Sequence, residues 1–420
     1  MTSIQRVKGM QDVLPDDRRY WNHVITTAAD LAYRFGFQPM DIPVMEYTEL
    51  FERSIGAGSD IFVQKEMYTL EEADGVHLTL RPEFTAGVAR AYLENGLHNW
   101  LQPVKVFLIG PIFRRERPQA GRFRQHSQFN AEIMGEADPA ADLEVMLLAM
   151  SIYERLGYRG LSFQLNSTGC RDCRPAYIER LRAHLDAHEA HLAPIDQERL
   201  RKNPLRVLDS KEPGMDRVLA DVPHIADFLC ADCAEHFAEL RSLLDVLGQA
   251  YSLNFRLVRG LDYYEKTVFE VWAEGIGAQA AVCGGGRYNL IPEIGGPSTP
   301  SVGFGSGIER IILGMKQVGV EPPPLPAPDV MVLHTGGATK PVAVALAFRL
   351  RAAGIGARLA FARLPRSLKS QLREANKAQV SQAIIVGEAE LAAGQVVVKP
   401  LAGGEQVLIP LADVVDWLAR

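Results

Sequence analysis

The apolar positions change period along the chain, and those changes divide it. From Asp17 to Arg34 they recur with helical spacing, and Gly36 ends the run. "FQPMDIPVMEY" (37–47) then reads as a strand, and its two prolines place it at an edge or an interface. "HLTLRPEFTAGVARAYLENG" (77–96) reads as a strand, a turn at Pro82 and a helix. Two β-prone runs, "VKVFLIGPIF" (104–113) and "FNAEIMG" (129–135), flank a polar segment in which Pro118 and Gly121 break any helix, so a hairpin is predicted. A helix from about Pro139 to Leu156 follows, with Asp138 as its cap and proline at its first position.

From Thr168 to about Gly248 the pattern becomes helical and charged, as in "YIERLRAHLDAHEAHL" and "HFAELRSLLDVLG". Strand-like alternation resumes at "YSLNFRLV" and "TVFEVWAEG"; "CGGGRYN" comes next, and "SVGFGSGIERIILGM" reads as a strand entering a helix. "VEPPPLPAPD" (320–329) holds five prolines in ten residues, which favours an extended linker over a helix or central strand. Beyond it apolar strands alternate with amphipathic helices, from "DVMVLHT" and "PVAVALAFRLRAAG" to "ADVVDWLAR", the pattern of a separate small α/β domain.

Composition adds three limits. The chain has 420 residues, 47% apolar and 23% charged, which suits two or three globular domains rather than a disordered chain. No run is long and apolar enough for a membrane helix, and "MTSIQRVKGMQDVLPDD" lacks a signal-peptide core, so a cytoplasmic protein with no membrane partner is expected. Net charge is −6, but residues 329–420 carry eleven Lys/Arg against seven Asp/Glu, a net of +4, leaving −10 for the rest. Local basic surface, rather than the total, decides what phosphates feel.

The candidate chemistry lies in three places. Arg114, Arg115, Arg117, Arg122 and Arg124 crowd eleven residues of the predicted hairpin with Glu116 among them. Taken alone they suit a solvated face as well as a phosphate site. The glycines of "CGGGRY" are compatible with a bulge or tight turn. Cys170 and Cys173 ("CRDC") and Cys230 and Cys233 ("CADC") have the paired spacing of a tetrahedral zinc site; the alternative is four buried reduced thiols. Cys283 stands alone and reads as core.

In conjunction these segments resemble a known family. "FRRERPQAGRFRQ" looks like motif 2 of the class II aminoacyl-tRNA synthetases, "GFGSGIERIIL" like motif 3, and the segment around Pro43 like motif 1. "LVRGLDYYEKTVFEV" and "GGGRYN" resemble the two signatures of histidyl-tRNA synthetases, and "LTLRPEFTAGVARAYLE" and "DIFVQKEMYT" match as well. The resemblance implies an α/β (α+β) fold: an antiparallel-sheet catalytic core (1–167 and 249–320) interrupted by a helical insertion (168–248), then a proline-rich linker (321–328) and an α/β anticodon-binding domain (329–420). It implies ATP-dependent ligation of L-histidine to tRNA(His) for protein synthesis by a homodimer, with ATP and Mg2+. A rival within the same fold is the regulatory subunit of ATP phosphoribosyltransferase, which typically lacks the tail and has eroded signatures.

The resemblance also assigns residues. Arg114 and Arg259 would meet the α-phosphate and Arg310 the γ-phosphate, since arginine's planar fork is always charged and grips two oxygens at once. Glu116 would receive the adenine amino group. His126 stands where most members have Phe; it either stacks on adenine or turns away and leaves Phe123 to cover the ring. Glu132 would accept from the histidine ring, with the Tyr264 hydroxyl on its other nitrogen, while Tyr263 and Tyr288 line the pocket. Glu83, Thr85 and Gln128 would hold the α-amino group. Phe84 replaces a usual glycine beside that set, and Asn289 and Leu290 replace Asp and Gly, so local geometry is expected to differ at both places. Arg117 and Gln119 match residues the family uses near the extra 5′ nucleotide of its tRNA. Lys369, Arg373 and Lys377, four apart, share one helix face, either a solvated face or a contact for the tRNA backbone.

Overall fold

The computed structural model describes residues 3–55, 66–115, 123–276, 281–361 and 366–419. Two compact units, Met1–Pro323 and Pro324–Arg420, divide within the proline-rich stretch, where no regular element forms. Among the described residues no helix is long and apolar enough to cross a membrane.

The first unit begins with α1 (Pro15–Arg34), β1 (Gln38–Pro39), β2 (Met45–Tyr47), α2 (Thr48–Ile55), β3 (Tyr68–Glu71), β4 (His77–Leu80) and α3 (Thr85–Glu94). The hairpin strands β5 (Val104–Phe113) and β6 (Gln125–Met134) precede α4 (Pro139–Arg155) and β7 (Ser162–Ser167). Helices α5 (Arg174–Ala187), α6 (Pro194–Lys202), α7 (Met215–Val218) and α8 (Ala231–Val246) follow. The chain then returns through β8 (Tyr251–Leu253), β9 (Tyr264–Trp272), β10 (Ala281–Tyr288), β11 (Ser301–Gly307) and α9 (Ile308–Gln317).

Among the described residues eight strands form one sheet, ordered β1-β5-β6-β11-β10-β9-β7-β8. The pairs at its two edges, β1–β5 and β7–β8, are parallel, and every pair between them is antiparallel. β2, β4 and β3 make a separate antiparallel sheet. The two-residue period of β6 explains how the large sheet is used. Phe129, Ala131 and Ile133 point into a core shared with α1, α4, α8 and α9. Phe129 and Ile133 each contribute about 1.5–3 kcal/mol by leaving water. The alternate residues His126, Gln128, Asn130 and Glu132 therefore share the opposite face. The Asp138 side chain caps α4 by accepting from Ala140 N at 2.8 Å.

Two strand expectations need correction. Residues 37–47 are not one strand: β1 and β2 belong to different sheets, and no strand forms at 40–44. Pro43 has no N–H for a ladder, and Arg81 Nη1 takes up the carbonyls of Ile42 (2.6 Å) and Pro43 (3.2 Å). The strand expected over 251–258 stops at Leu253, because the chain turns at Asn254–Leu257 and Asn166 Nδ2 donates to the Leu257 carbonyl. The helical stretch has a small core of its own around Tyr177, Leu181, Leu200, Val207 and Met215. Its last helix, α8, instead buries Phe237, Leu240 and Leu244 in the main core.

The second unit contains β12 (Val330–His334), α10 (Thr339–Ala352), β13 (Ala357–Leu359), α11 (Leu368–Lys377), β14 (Gln382–Val386), α12 (Glu388–Ala392), β15 (Gln395–Pro400), β16 (Val407–Pro410) and α13 (Val414–Leu418). Its sheet, ordered β13-β12-β14-β15-β16, is parallel around β12 and antiparallel beyond β14. Alternation again divides the faces: Val330 and Val332 pack with Leu346 and Leu350 of α10, whereas Met331 and Leu333 pack with Ala375 of α11.

Candidate active site

The face of β6 opposite the main core becomes a site because β11 beside it and β10 beyond are bared by glycine. A Cβ at Gly303 would lie 1.6 Å from Glu132 Oε2, and one at Gly284 would lie 2.5 Å from Arg259 Nη1. Gly305 makes the same room for Gln128, and Gly286 for the Tyr264 ring. "CGGGRY" therefore runs within β10, with register shifts at Ala281/Cys283 and Gly286/Arg287, and its glycines form a floor on which larger side chains lie.

Glu132 stands on that floor, 1% exposed. Its Oε1 accepts from Thr85 Oγ1 (2.7 Å) and Asn130 Nδ2 (3.1 Å), and its Oε2 from the Tyr288 hydroxyl (2.9 Å). Burial pushes its pKa up to about 7, against the pull of those three donors. Glu83 sits at the start of α3 and accepts from Thr85 N (2.6 Å) and Ala86 N (2.7 Å), an anion at the positive end of a helix. Burial raises its pKa too, opposed by those amides and by Arg114. Tyr263 packs at 4.7 Å from Tyr264 and 5.6 Å from Tyr288, ring centre to ring centre. Burial raises all three phenols, so they remain hydroxyl donors at neutral pH.

Cations border the same face. Arg259 pairs with Glu270 Oε1 at 2.7 Å, and Glu270 is itself held by Trp272 Nε1 at 2.9 Å. The Arg259 Nε is buried with no hydrogen-bond partner among the described residues. Arg114 Nε donates to the Pro82 carbonyl at 2.9 Å, which brings its guanidinium beside Glu83. Arg310 occupies the first turn of α9, half-buried. The His126 Nδ1 lies 3.2 Å from the Phe123 carbonyl. Burial, with Arg114 nearby, depresses its pKa to about 4, so the ring is neutral. Glu116, Arg117 and Gln119 lie outside the described residues.

The departures from the family pattern have local explanations. Phe84 has φ −96° and ψ −34°, an ordinary right-handed backbone that needs no glycine. Its ring is buried in the core with the Arg81 guanidinium 4.6 Å above it. The Asn289 side chain donates to Ser298 Oγ (2.8 Å) and accepts from Thr299 N (2.9 Å), which closes the loop after β10, while Leu290 is fully buried. On α11, Lys369, Arg373 and Lys377 are exposed, and Leu368, Leu372 and Ala375 pack inward.

Sequence reasoning missed Glu309, both of whose oxygens accept from Ser127 N (2.9 and 3.0 Å), tying α9 to β6; burial brings its pKa up to about 7. It also missed Glu270 and Asn130. The glycines at alternate positions 303, 305 and 307 of "SVGFGSG" were a signal of a bare strand face. Nothing local announces Asn130 or Glu270, whose roles come from partners far along the chain.

A mostly antiparallel sheet with buried carboxylates on a glycine-bared face, followed after the prolines by a separate α/β unit, is the architecture that the resemblance to class II aminoacyl-tRNA synthetases implies. The family described as histidyl-tRNA synthetase matches residues 9–311, and the anticodon binding domain matches residues 329–420. The chain belongs to the histidyl-tRNA synthetase family. It is 47% identical over 412 residues to a histidine–tRNA ligase of Dehalococcoides mccartyi, covering 98% of each chain. It is 45% identical over 416 residues to that of Moorella thermoacetica, covering 99% of this chain and 98% of the relative. The crystal structure of apo S. aureus histidyl-tRNA synthetase superimposes along the full length of both chains, with a TM-score of 0.83 and 31% identity.

Proposed function

We propose that this chain activates L-histidine with ATP and transfers it to tRNA(His), giving histidyl-tRNA, AMP and diphosphate. The observation that carries the reading is the buried Glu132, held by Thr85, Asn130 and Tyr288 on a glycine floor. Neutral imidazole offers one N–H and one bare nitrogen. Glu132 accepts from the N–H, and the Tyr264 hydroxyl donates to the other nitrogen. Glu83, Gln128 and Thr85 receive the α-amino group; Phe84, its ring in the core, contributes through its main chain. A competing amino acid would leave these buried groups unpaired, which can supply discrimination of about 10⁴–10⁵ without editing.

The histidine carboxylate oxygen then attacks the α-phosphorus, forming the acyl-phosphate bond as the bond to diphosphate breaks. Charge grows on phosphoryl oxygens, so fixed cations do the work. Arg259 and Arg114 meet the α-phosphate and Arg310 the γ-phosphate. His126 stacks on adenine as a neutral ring, and Glu116 receives the adenine amino group. Among the described residues the four cysteines are the only group of three or more His, Cys, Asp or Glu close enough to share a metal ion. Magnesium bound with ATP would supply charge neutralisation at its outer phosphates. In the second step the 3′-hydroxyl of the terminal adenosine attacks the carbonyl carbon, loses its proton and displaces AMP. Arg117 and Gln119 address the 5′ end of the tRNA, and Lys369, Arg373 and Lys377 its backbone at the anticodon end.

ATP–pyrophosphate exchange across all amino acids tests the reading. Histidine alone drives exchange. Folded protein that shows none with histidine would sink the proposal and favour a regulatory subunit.

A further inference from the structure

We propose that Cys170, Cys173, Cys230 and Cys233 bind one zinc ion as four thiolates, and that this site anchors the start of β9, the strand that opens with Tyr264. The four Sγ atoms lie within 4.8 Å of one another, with Cys170–Cys173 at 3.7 Å, Cys170–Cys230 at 3.8 Å and Cys173–Cys233 at 3.9 Å. Zinc–sulfur bonds of about 2.3 Å set the edge of a regular tetrahedron at about 3.8 Å. Two disulfides would instead draw the sulfurs together in pairs, at about 2.05 Å, and leave the remaining separations unconstrained. These three separations match that edge, and the others stay within 4.8 Å.

The surroundings suit an anion. Binding releases four protons and leaves zinc tetrathiolate with a net charge of about −2. Cys173 stands at the N-cap of α5 and Cys230 at that of α8, so two long helices direct their positive ends at the sulfurs. Cys170 N lies 3.2 Å from Cys173 Sγ. Gly169, at φ +63°, is required: a Cβ there would stand 2.8 Å from Cys173 Sγ. Arg174 follows directly and adds a guanidinium beside Cys170 and Cys173.

Both cysteine pairs are tied to the start of β9. Arg174 donates to the carbonyls of Thr168 (2.9 Å), Gly169 (3.3 Å) and Tyr264. Lys266 N donates to the Gly169 carbonyl at 2.8 Å, and Thr168 N to that of Lys266 at 2.7 Å. From the second pair, Asp232 Oδ2 holds Lys266 Nζ at 2.8 Å. Lys266 has φ +50°, a conformation a non-glycine residue keeps only when its surroundings impose it. Zinc would thus close the two ends of the helical stretch and hold Arg174 where it fixes the Tyr264 main chain, with Arg174 a positioning residue. This last part rests on the proposed histidine-binding role of Tyr264.

The test uses the full chain purified under reducing conditions. Metal analysis gives about one zinc per chain, and the Cys170→Ser/Cys230→Ser variant less than about a tenth of that. Replacing zinc with cobalt gives the visible absorption of tetrahedral thiolate coordination. Wild-type protein that holds no metal and shows all five cysteines as free thiols, or disulfides among the four by mass spectrometry, would overturn the site. Arg174→Ala keeps its zinc and raises the KM for histidine about tenfold in exchange, with the KM for ATP unchanged and Arg174→Lys partly restoring it. An unchanged histidine KM would overturn the anchoring role while leaving the zinc site intact. Should wild-type protein catalyse no histidine-dependent exchange, the functional reading fails, and zinc stoichiometry still judges the site.

Discussion

Glu132→Gln separates what the buried carboxylate does for the ligand from what it does to the fold. Glu132 has three donors around it and, among the described residues, no cation as a hydrogen-bond partner, and burial holds its pKa up to about 7. Its pKa is raised, so its contribution to stability is complete below the unfolded value near 4.5 and is lost as pH rises through 7. By pH 8 that loss amounts to about 3 kcal/mol. Glutamine does not titrate. Its oxygen can take the place facing Thr85 and Asn130, where the Asn130 amide can only donate, and its NH2 can face the Tyr288 oxygen, since a hydroxyl also accepts. The variant should therefore resist urea better than wild type at pH 8, with the advantage shrinking towards pH 5. Histidine binding moves the other way. Losing a charge-assisted hydrogen bond of about 1.5–3 kcal/mol raises the histidine KM by about 10–150-fold. Urea midpoints at pH 5 and pH 8, with exchange kinetics at pH 8, read both effects. An advantage equal at the two pH values would mean that Glu132 is not the titrating group. An unchanged KM would mean that the histidine ring binds elsewhere.

Four further outcomes follow from the same geometry. Arg259→His removes the cation that Glu270 orients and should lower the exchange rate by about 10²–10³-fold while circular dichroism stays native. Gly303→Ala puts a methyl 1.6 Å from Glu132 Oε2 and 2.7 Å from the Ala131 carbonyl, so the carboxylate must move; exchange kinetics should show a raised histidine KM, and urea unfolding a loss of about 1–3 kcal/mol. A chain ending at Pro323, where the first compact unit ends, should keep exchange and lose charging; the salt slope of its tRNA affinity should flatten by about 0.7–0.9 for each phosphate that the tail would have neutralised, as filter binding over a salt series would show. Sedimentation at micromolar concentration should give a homodimer, and a stable monomer there would contradict an interface around Pro43.

Local signals in the chain place most of the elements. Asp138 before Pro139 starts α4, and alternation in "VMVLH" assigns Val330 and Val332 to one face and Met331 and Leu333 to the other. "RGLDYY" and the first arginine of the hairpin likewise name residues that the fold brings near the buried carboxylates, Tyr263 and Tyr264 beside Glu132 and Arg114 beside Glu83. What the chain leaves open depends on distant partners. Residues 37–47 look like one strand because alternation does not reveal which sheet will offer an edge; β1 and β2 pair with different strands, and Arg81 claims the carbonyls between them. "CGGGRY" reads as a bulge or a tight turn, and it is a strand with a register shift at Gly286/Arg287; that its glycines clear room for side chains was hidden because a glycine's purpose is set by what lies across it, and Arg259 is 25 residues away from Gly284. Phe84 and Asn289 look like disruptions until φ at one and the hydrogen bonds of the other fix their geometry. The cysteine pairs have the right spacing within each pair, but the interval between Cys173 and Cys230 says nothing about distance in space. Only folding the helical stretch back on itself, so that two helix N-termini converge, brings the four sulfurs within 4.8 Å of one another.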